Sequence, residues 1–319
     1  MIAETPIIKK SKLPAILIIF TAVLTAALLP LRIFQTMTLV EGKTGFWINA
    51  EDRSVYMLYA LLALLIVTPL LLGLVRKKHT MPDFGFRPRV AEGLFAASVA
   101  VALVLNAVSA FRSAAGIFTD FGAGIYVAGL EYQTGASVLQ YFTRSGAIAA
   151  LLEGVFGAVS ALFFVSLAFC DWLPKEKKQL NRLLLLAPLA WTICRILRRF
   201  ARMISYLRVS DLFLDLLMLS CLLLFFLTFA QVFAGISDKH KAGLLFGAGI
   251  PAAVLGMVCF VPRFIVQATG GGASLSQDAP VEWCDAALAL FIAVFLTGRI
   301  LISAQKSEIP AKTEEGSQA

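Results

Sequence analysis

The sequence predicts an all-α, polytopic membrane bundle of about eight transmembrane helices, and three observations carry that prediction. First, 59% of the 319 residues are hydrophobic and 15% are charged, whereas about 25% of an average soluble domain is charged. Second, the apolar residues gather into runs of roughly twenty, the length a helix needs to cross about 30 Å of hydrocarbon. Third, Lys and Arg sit mostly in short clusters just beyond those runs, as in chains that meet an anionic cytoplasmic leaflet. A soluble core made from this length of chain could not bury so much apolar surface. The net charge of +8 therefore points to a lipid bilayer as partner rather than to nucleic acid.

The expected spans are 13–31, 55–75, 91–111, 147–170, 183–206, 211–236, 243–266 and 285–303. The first follows Lys9, Lys10 and Lys12, is longer than the apolar part of a cleavable signal and lacks a convincing small-x-small cleavage site before the next polar stretch, so it reads as a retained span. The second and sixth are clearest, with Leu61-Leu62-Ala63-Leu64-Leu65-Ile66 and Leu222-Leu223-Leu224-Phe225-Phe226. The fifth is weakest, because its uninterrupted apolar part ends near Cys194. Pro30, Pro69, Pro188 and Pro251 kink helices in lipid without forbidding them.

Basic residues set the orientation. Lys9, Lys10 and Lys12, then Arg76, Lys77, Lys78, Arg87 and Arg89, fall on one side, with Lys175, Lys177, Lys178 and Arg182. Lys239, Lys241, Arg299, Lys306 and Lys312 join them. By the positive-inside rule this side is cytoplasmic, with both termini inside a bacterial cytoplasmic membrane. The competing topology makes 183–197 a re-entrant segment, leaves seven spans and flips every later loop; basic residues alone do not choose between the two. Eight is preferred because 237–242 reads as a short cytoplasmic turn and a helix over 183–206 gains a coherent polar face.

Residues 1–12 are then a cytoplasmic N-terminus, 13–304 the membrane domain and 305–319 a polar tail expected to be disordered. The outer connections, 32–54, 112–146 and 267–284, are the long ones. The 112–146 segment carries Phe118, Phe121, Tyr126, Tyr132, Tyr141 and Phe142, as an interfacial cap or a lid would.

The two halves share an order of features. Leu31-Arg32-Ile33-Phe34 matches Cys194-Arg195-Ile196-Leu197, Arg76-Lys77-Lys78-His79 matches Lys239-His240-Lys241, and Gly93-Leu94-Phe95 matches Gly243-Leu244-Leu245-Phe246. They suggest a parallel 4+4 repeat, 13–172 and 183–304, against the alternative that apolar sequences resemble one another by composition. The stretch Pro188-x-x-Trp191-x-x-Cys194-Arg195, the run Asp215-Leu216-Leu217-Met218-Leu219 and the element Thr44-Gly45-Phe46 resemble a group of multi-pass bacterial membrane proteins of unassigned activity. That resemblance implies a polytopic helical fold and no site residue.

Ionisable residues inside spans are costly and mark functional sites by default. At 100° per residue Trp191, Arg195, Arg198, Arg199, Arg202 and Tyr206 fall within roughly a 100° arc of one helix face. Two carboxylates, Asp215 and Glu153, reach the same depth, with Asp211 a turn above Asp215. Guanidinium groups suit bidentate carboxylate or phosphate contacts. Three readings stay open: structural ion pairs, a pocket for an anionic group such as a lipid phosphate, polyprenyl phosphate or carboxylate, and a proton or ion path through Glu153 or Asp215. An expected excess of Arg over carboxylate favours the pocket over the path. Gly154, Gly157, Ala161, Gly247, Gly249, Ala253 and Gly256 read as close-packing positions.

No cofactor or metal is expected. The only histidines are His79 and His240, both in basic turns, and no Walker A, G-x-S-x-G, H-E-x-x-H or Rossmann glycine pattern occurs. Cys170, Cys194, Cys221, Cys259 and Cys284 form no C-x-x-C pair and read as packing residues, with Cys284 beside Trp283 the exposed one. The leading expectation is a protein that binds or transports a small anionic or amphipathic molecule and is not an enzyme. The alternatives are a non-catalytic membrane subunit or sensor, and a membrane transferase acting on a lipid-linked substrate.

Overall fold

The computed structural model describes residues 13–41, 45–75, 90–126, 137–169, 183–201, 210–234, 239–270 and 281–306. Among them the elements are α1 (Leu13–Thr38), α2 (Arg53–Val75), α3 (Val90–Gly122), α4 (Val138–Arg144), α5 (Ala147–Phe169), α6 (Ala187–Ala201), α7 (Ser210–Phe233), α8 (Lys239–Ala268) and α9 (Trp283–Lys306). A 3-10 turn, Leu184–Leu186, leads into α6. Leu, Ala, Val, Ile and Phe dominate these helices, and in lipid only a helix satisfies its own backbone groups within one segment. Six of them, in α1, α2, α3, α5, α7 and α8, are long and apolar enough to cross a membrane, the helix content of an integral membrane protein. Their outward faces carry exposed Ile16, Ile19, Val23, Leu64, Val101 and Leu162, apolar surface suited to lipid.

Successive long helices run in opposite directions. At one end of the bundle the C-terminal parts of α1 (Arg32), α6 (Arg198) and α8 (Arg263) meet the N-terminal parts of α7 (Asp211, Asp215) and α5 (Glu153). Gln35 near the end of α1 donates to the Ser54 carbonyl at the start of α2, at 2.8 Å. At the other end Glu92, opening α3, pairs with Arg299 late in α9 at 3.1 Å. There too the end of α2 meets the start of α8, so closely that a Cβ on Gly73 or Gly243 would overlap the partner's carbonyl oxygen.

Helix α8 is the central element, packed against α1, α2, α7 and α9. Its apolar window is 72% buried against 17% for α1, so α8 belongs to the core and α1 to the lipid boundary. Around it lies a core of Phe163, Phe164, Phe225, Phe226, Phe229, Phe291 and Phe295, with rings such as Phe164 and Phe291 edge to face at 5.2 Å.

Several expectations change. The first helix continues to Thr38, which puts Arg32 and Gln35 inside it. Much of the expected 112–146 loop is helical, because α3 runs to Gly122 and α4 follows. Nothing breaks α3 before a glycine-closed cap: Gly124 takes φ 74°, the Ile125 N–H donates to the Asp120 carbonyl and the Gly124 N–H to that of Phe121. A 4+4 repeat would match α7 packed on α8 to α2 packed on α3. Among the described residues only the first of these is a substantial helix pair, whereas α1 on α2 does match α6 on α7 and α3 on α5 does match α8 on α9, so helix packing does not establish the repeat. The termini 1–12 and 307–319, Tyr132, Cys170, His79, the basic stretches 76–89 and 175–182, Arg202 and Tyr206 lie outside the described residues.

Candidate functional site

Helix α6 is short, 15 residues, and sharply two-faced. Pro188 sits in its first turn, where a missing N–H costs nothing. Ile193, Leu197 and Phe200, at helical spacing, are exposed. The opposite stripe carries Trp191, Arg195, Arg198 and Arg199 toward α5, α7 and α9.

Arg195, only 1% exposed, donates from Nη1 and Nη2 to the two carboxylate oxygens of Asp285 at 2.5 and 3.0 Å. It also pairs with Glu282, and its guanidinium lies 5.4 Å from the Trp191 ring centre. The Trp191 indole N–H donates to Asn106 Oδ1 of α3 at 3.2 Å. A side chain at Gly157 of α5 would press on the same indole. Arg199 Nη2 lies 2.8 Å from Glu282 Oε1 and 3.2 Å from Asp215 Oδ2. The other oxygen of Asp215 accepts from Arg263 of α8 at 2.9 Å. Arg263 also reaches the Asp211 carbonyl at 3.4 Å, and the Asp211 carboxylate pairs with Arg32 of α1. Arg32 in turn lies 5.3 Å from the ring centre of Trp47.

Alternating charges thus form a continuous ladder: Arg32, Asp211, Arg263, Asp215, Arg199, Glu282, Arg195, Asp285. Beside it, Arg198 donates to Glu153 Oε2 at 3.0 Å and to Ser113 Oγ of α3 at 3.3 Å. Most of the acids open helices and the arginines lie toward helix C-terminal ends, so the macrodipoles reinforce the pairing.

Glu153, Trp191, Arg195, Arg198, Arg199 and Asp215, expected from the sequence to share one site, are brought together. Among the described residues, which do not include Arg202, the expected excess of arginine is not found. Among the described residues five arginines, Arg32, Arg195, Arg198, Arg199 and Arg263, face five carboxylates, Glu153, Asp211, Asp215, Glu282 and Asp285, so the ladder is charge-balanced. Arg32, Arg263, Glu282 and Asp285 were missed as members. Each lies within about two turns of a span end on the side assigned to the arginine cluster, and that common depth was the available signal.

Cys284 is also corrected. It is 2% exposed, with Arg195 Nη1 at 3.6 Å from its sulfur. Glu282, Cys284 and Asp285 have donor atoms within 4.8 Å of one another, a spacing that would suit a metal ion. The guanidinium of Arg195 contacts all three, so it already supplies the cation they surround. Arg299, expected as a cytoplasmic surface charge, is buried against Glu92 and lies 5.0 Å from the Phe295 ring centre. No protein-family model, curated protein or solved structure matched the chain, and its functional reading therefore rests on its own residues.

Proposed function

We propose that this chain is a membrane protein of eight crossings that binds, and moves or senses, the anionic group of a small or amphipathic molecule at the accessible edge of the arginine ladder. One observation carries the reading: the arginines divide sharply by exposure. The side chains of Arg32, Arg195 and Arg263 are 1 to 3% exposed, whereas Arg199 is 14% and Arg198 27% exposed. The sealed arginines tie helices together through buried carboxylates. Arg198, partly exposed beside Glu153, is the arginine that an incoming carboxylate or phosphate can reach, by exchange with Ser113.

The eight-crossing topology is supported by the alternation of helix directions, in which α6 runs antiparallel to α5 and α7. With its 3-10 turn, α6 rises through most of the hydrocarbon at about 1.5 Å per residue. In this arrangement both termini are in the cytoplasm of a bacterial cell and the ladder faces outward. Single cysteines at Asn49, Thr143 and Thr269 then label from outside in intact cells; labelling of any of them only after permeabilisation overturns the topology.

The binding reading is tested by thermal stabilisation of purified protein with inorganic phosphate and with dodecyl phosphate. Stabilisation by either, lost in R198Q, supports it. No response, or one indifferent to R198Q, overturns it. The charge balance favours a second reading, in which all five arginines only tie helices together in a non-catalytic membrane subunit or sensor. In that case R198Q alters stability and no ligand response.

A further inference from the structure

Resting on that anion site, we infer that its ligand is an anionic amphiphile, with its headgroup at Arg198 and its chain against an aromatic cap built by the end of α3 and α4. At 33 residues α3 is about 50 Å long, and its last turns continue past Ser113 to pack against α4. Ser113, which accepts from Arg198, lies about one turn before them. Phe118 follows about 7.5 Å further along the axis.

There the chain assembles a ring cluster. Phe118 meets Phe142 at 4.6 Å, Phe121 meets both Tyr141 and Phe142 at 4.9 Å, and Tyr126 meets Tyr141 at 5.9 Å. Tyr141 is the buried centre. Helix α4 packs on α5, the helix that carries Glu153. The turn between them is tight, with Gly146 at φ 79°, so the cluster is held over the α5 end of the site.

Two properties point to an amphiphile rather than a small soluble anion. The cap exposes apolar surface: Phe118, Ile125, Val138 and Leu139 are all exposed, Leu139 by 67%. The lipid-facing surface beside Glu153 is apolar too, with Leu151 and Leu152 exposed. A chain lying there buries surface worth about 25 cal/mol per Å², whereas a free anion gains nothing from it. Exposed Arg112 and Arg144, with exposed Asp120, lie on the same two helices and leave the cap with a net positive charge. A lipid-like molecule reaches this place laterally from the membrane, with its chain already in an apolar phase.

The test measures binding of dodecyl phosphate, at low mole fraction in dodecyl maltoside micelles, and of inorganic phosphate to the full chain. Four proteins are compared: wild type, R198Q/E153Q, F118A/F142A and L139E. The double charge variant removes both members of the pair together. The exposed L139E variant puts a charge on the chain's path without touching the cap interior, which keeps the test decisive if F118A/F142A does not fold. Expected are tighter binding of dodecyl phosphate than of phosphate, loss of binding in R198Q/E153Q, and about tenfold weaker dodecyl phosphate binding in F118A/F142A or L139E. Equal binding of the two probes, or dodecyl phosphate binding unchanged by the cap variants, overturns the amphiphile and leaves the anion site. Binding indifferent to R198Q/E153Q, or no binding, overturns the anion site itself and the amphiphile with it.

Discussion

Arg195 of α6 and Asp285 of α9 meet end on, both guanidinium nitrogens of the one on both carboxylate oxygens of the other, 2.5 and 3.0 Å apart. Helix α6 packs substantially against α5 and α7 and not against α9, so this side-chain pair joins helices whose backbones do not closely meet. Arg32 does the same between α1 and α7. Long charged side chains therefore fill the space at this end of the bundle, where Phe and Leu fill the middle. An arrangement of that kind is stable only while every charge keeps its partner.

Removing one member of the Arg195–Asp285 pair is accordingly expected to cost about 3–5 kcal/mol. The two single variants will differ. R195Q strands Asp285 and half of the pairing of Glu282, whereas D285N leaves Arg195 with Glu282, so R195Q is the more harmful. R195M/D285L removes both charges and recovers much of the loss. Thermal unfolding of the four proteins in one detergent checks the order. A double variant as unstable as the sum of the singles would refute the coupling.

Arg198 should behave differently. Its side chain is 27% exposed against 1% for Glu153, so the pair lies between open ion pairs at about 0–1 kcal/mol and buried ones at about 3–5 kcal/mol. Arg198→Gln keeps a donor for the buried Glu153 and is expected to lower stability by about 1–3 kcal/mol, less than R195Q. The same thermal series decides it, and an effect as large as that of R195Q would place Arg198 among the structural ties.

How much of this was legible in the sequence depends on what periodicity can say. The stripe Trp191, Arg195, Arg198, Arg199 was readable because 100° per residue fixes which side chains share a face. Which carboxylates they meet was not, because that depends on how the ends of distant helices come together. Glu282 and Asp285 are more than eighty residues from α6 in the chain, and Arg263 belongs to the central helix. Arg32 was read as the first loop residue because it is charged, yet Ile33 to Thr38 contains no breaker and the helix runs on through it. The polar residues Arg112, Ser113 and Asp120 similarly masked the continuation of α3 up to its glycine cap. Cys284 was misplaced by its neighbour: Trp283 is exposed, but one residue further the helix has turned 100° and faces inward.

Close backbone approach makes a prediction free of charge effects. A Cβ on Gly243 would overlap the Gly73 carbonyl, an obstacle that no rotamer change can relieve, whereas one on Gly116 of α3 meets nothing within 4 Å. Gly243→Ala should separate α2 from α8 and cost about 1–3 kcal/mol. Gly116→Ala should be neutral or stabilising by up to about 1 kcal/mol, since it removes a flexible residue from a helix interior. Melting temperatures that move down and up respectively bear this out, and equal shifts refute it.

The start of α2 gives the last prediction, and its sign follows from one hydrogen bond. Asp52 caps the helix: its Oδ1 accepts from the Ser54 N–H at 2.8 Å. The Ser54 side chain beside it, together with that N–H, holds the Asp52 carboxyl below the ordinary value of 3.8. A carboxylate with a lowered folded-state pKa stabilises the fold fully above its unfolded value. That contribution is lost as pH falls through the folded one. The difference in melting temperature between wild type and D52A should therefore be constant above about pH 5 and shrink below 3.8. A difference that instead grew on acidification would mean that the protonated side chain is the better cap. One that never changed with pH would mean that the ionised carboxylate has no part in holding this helix end.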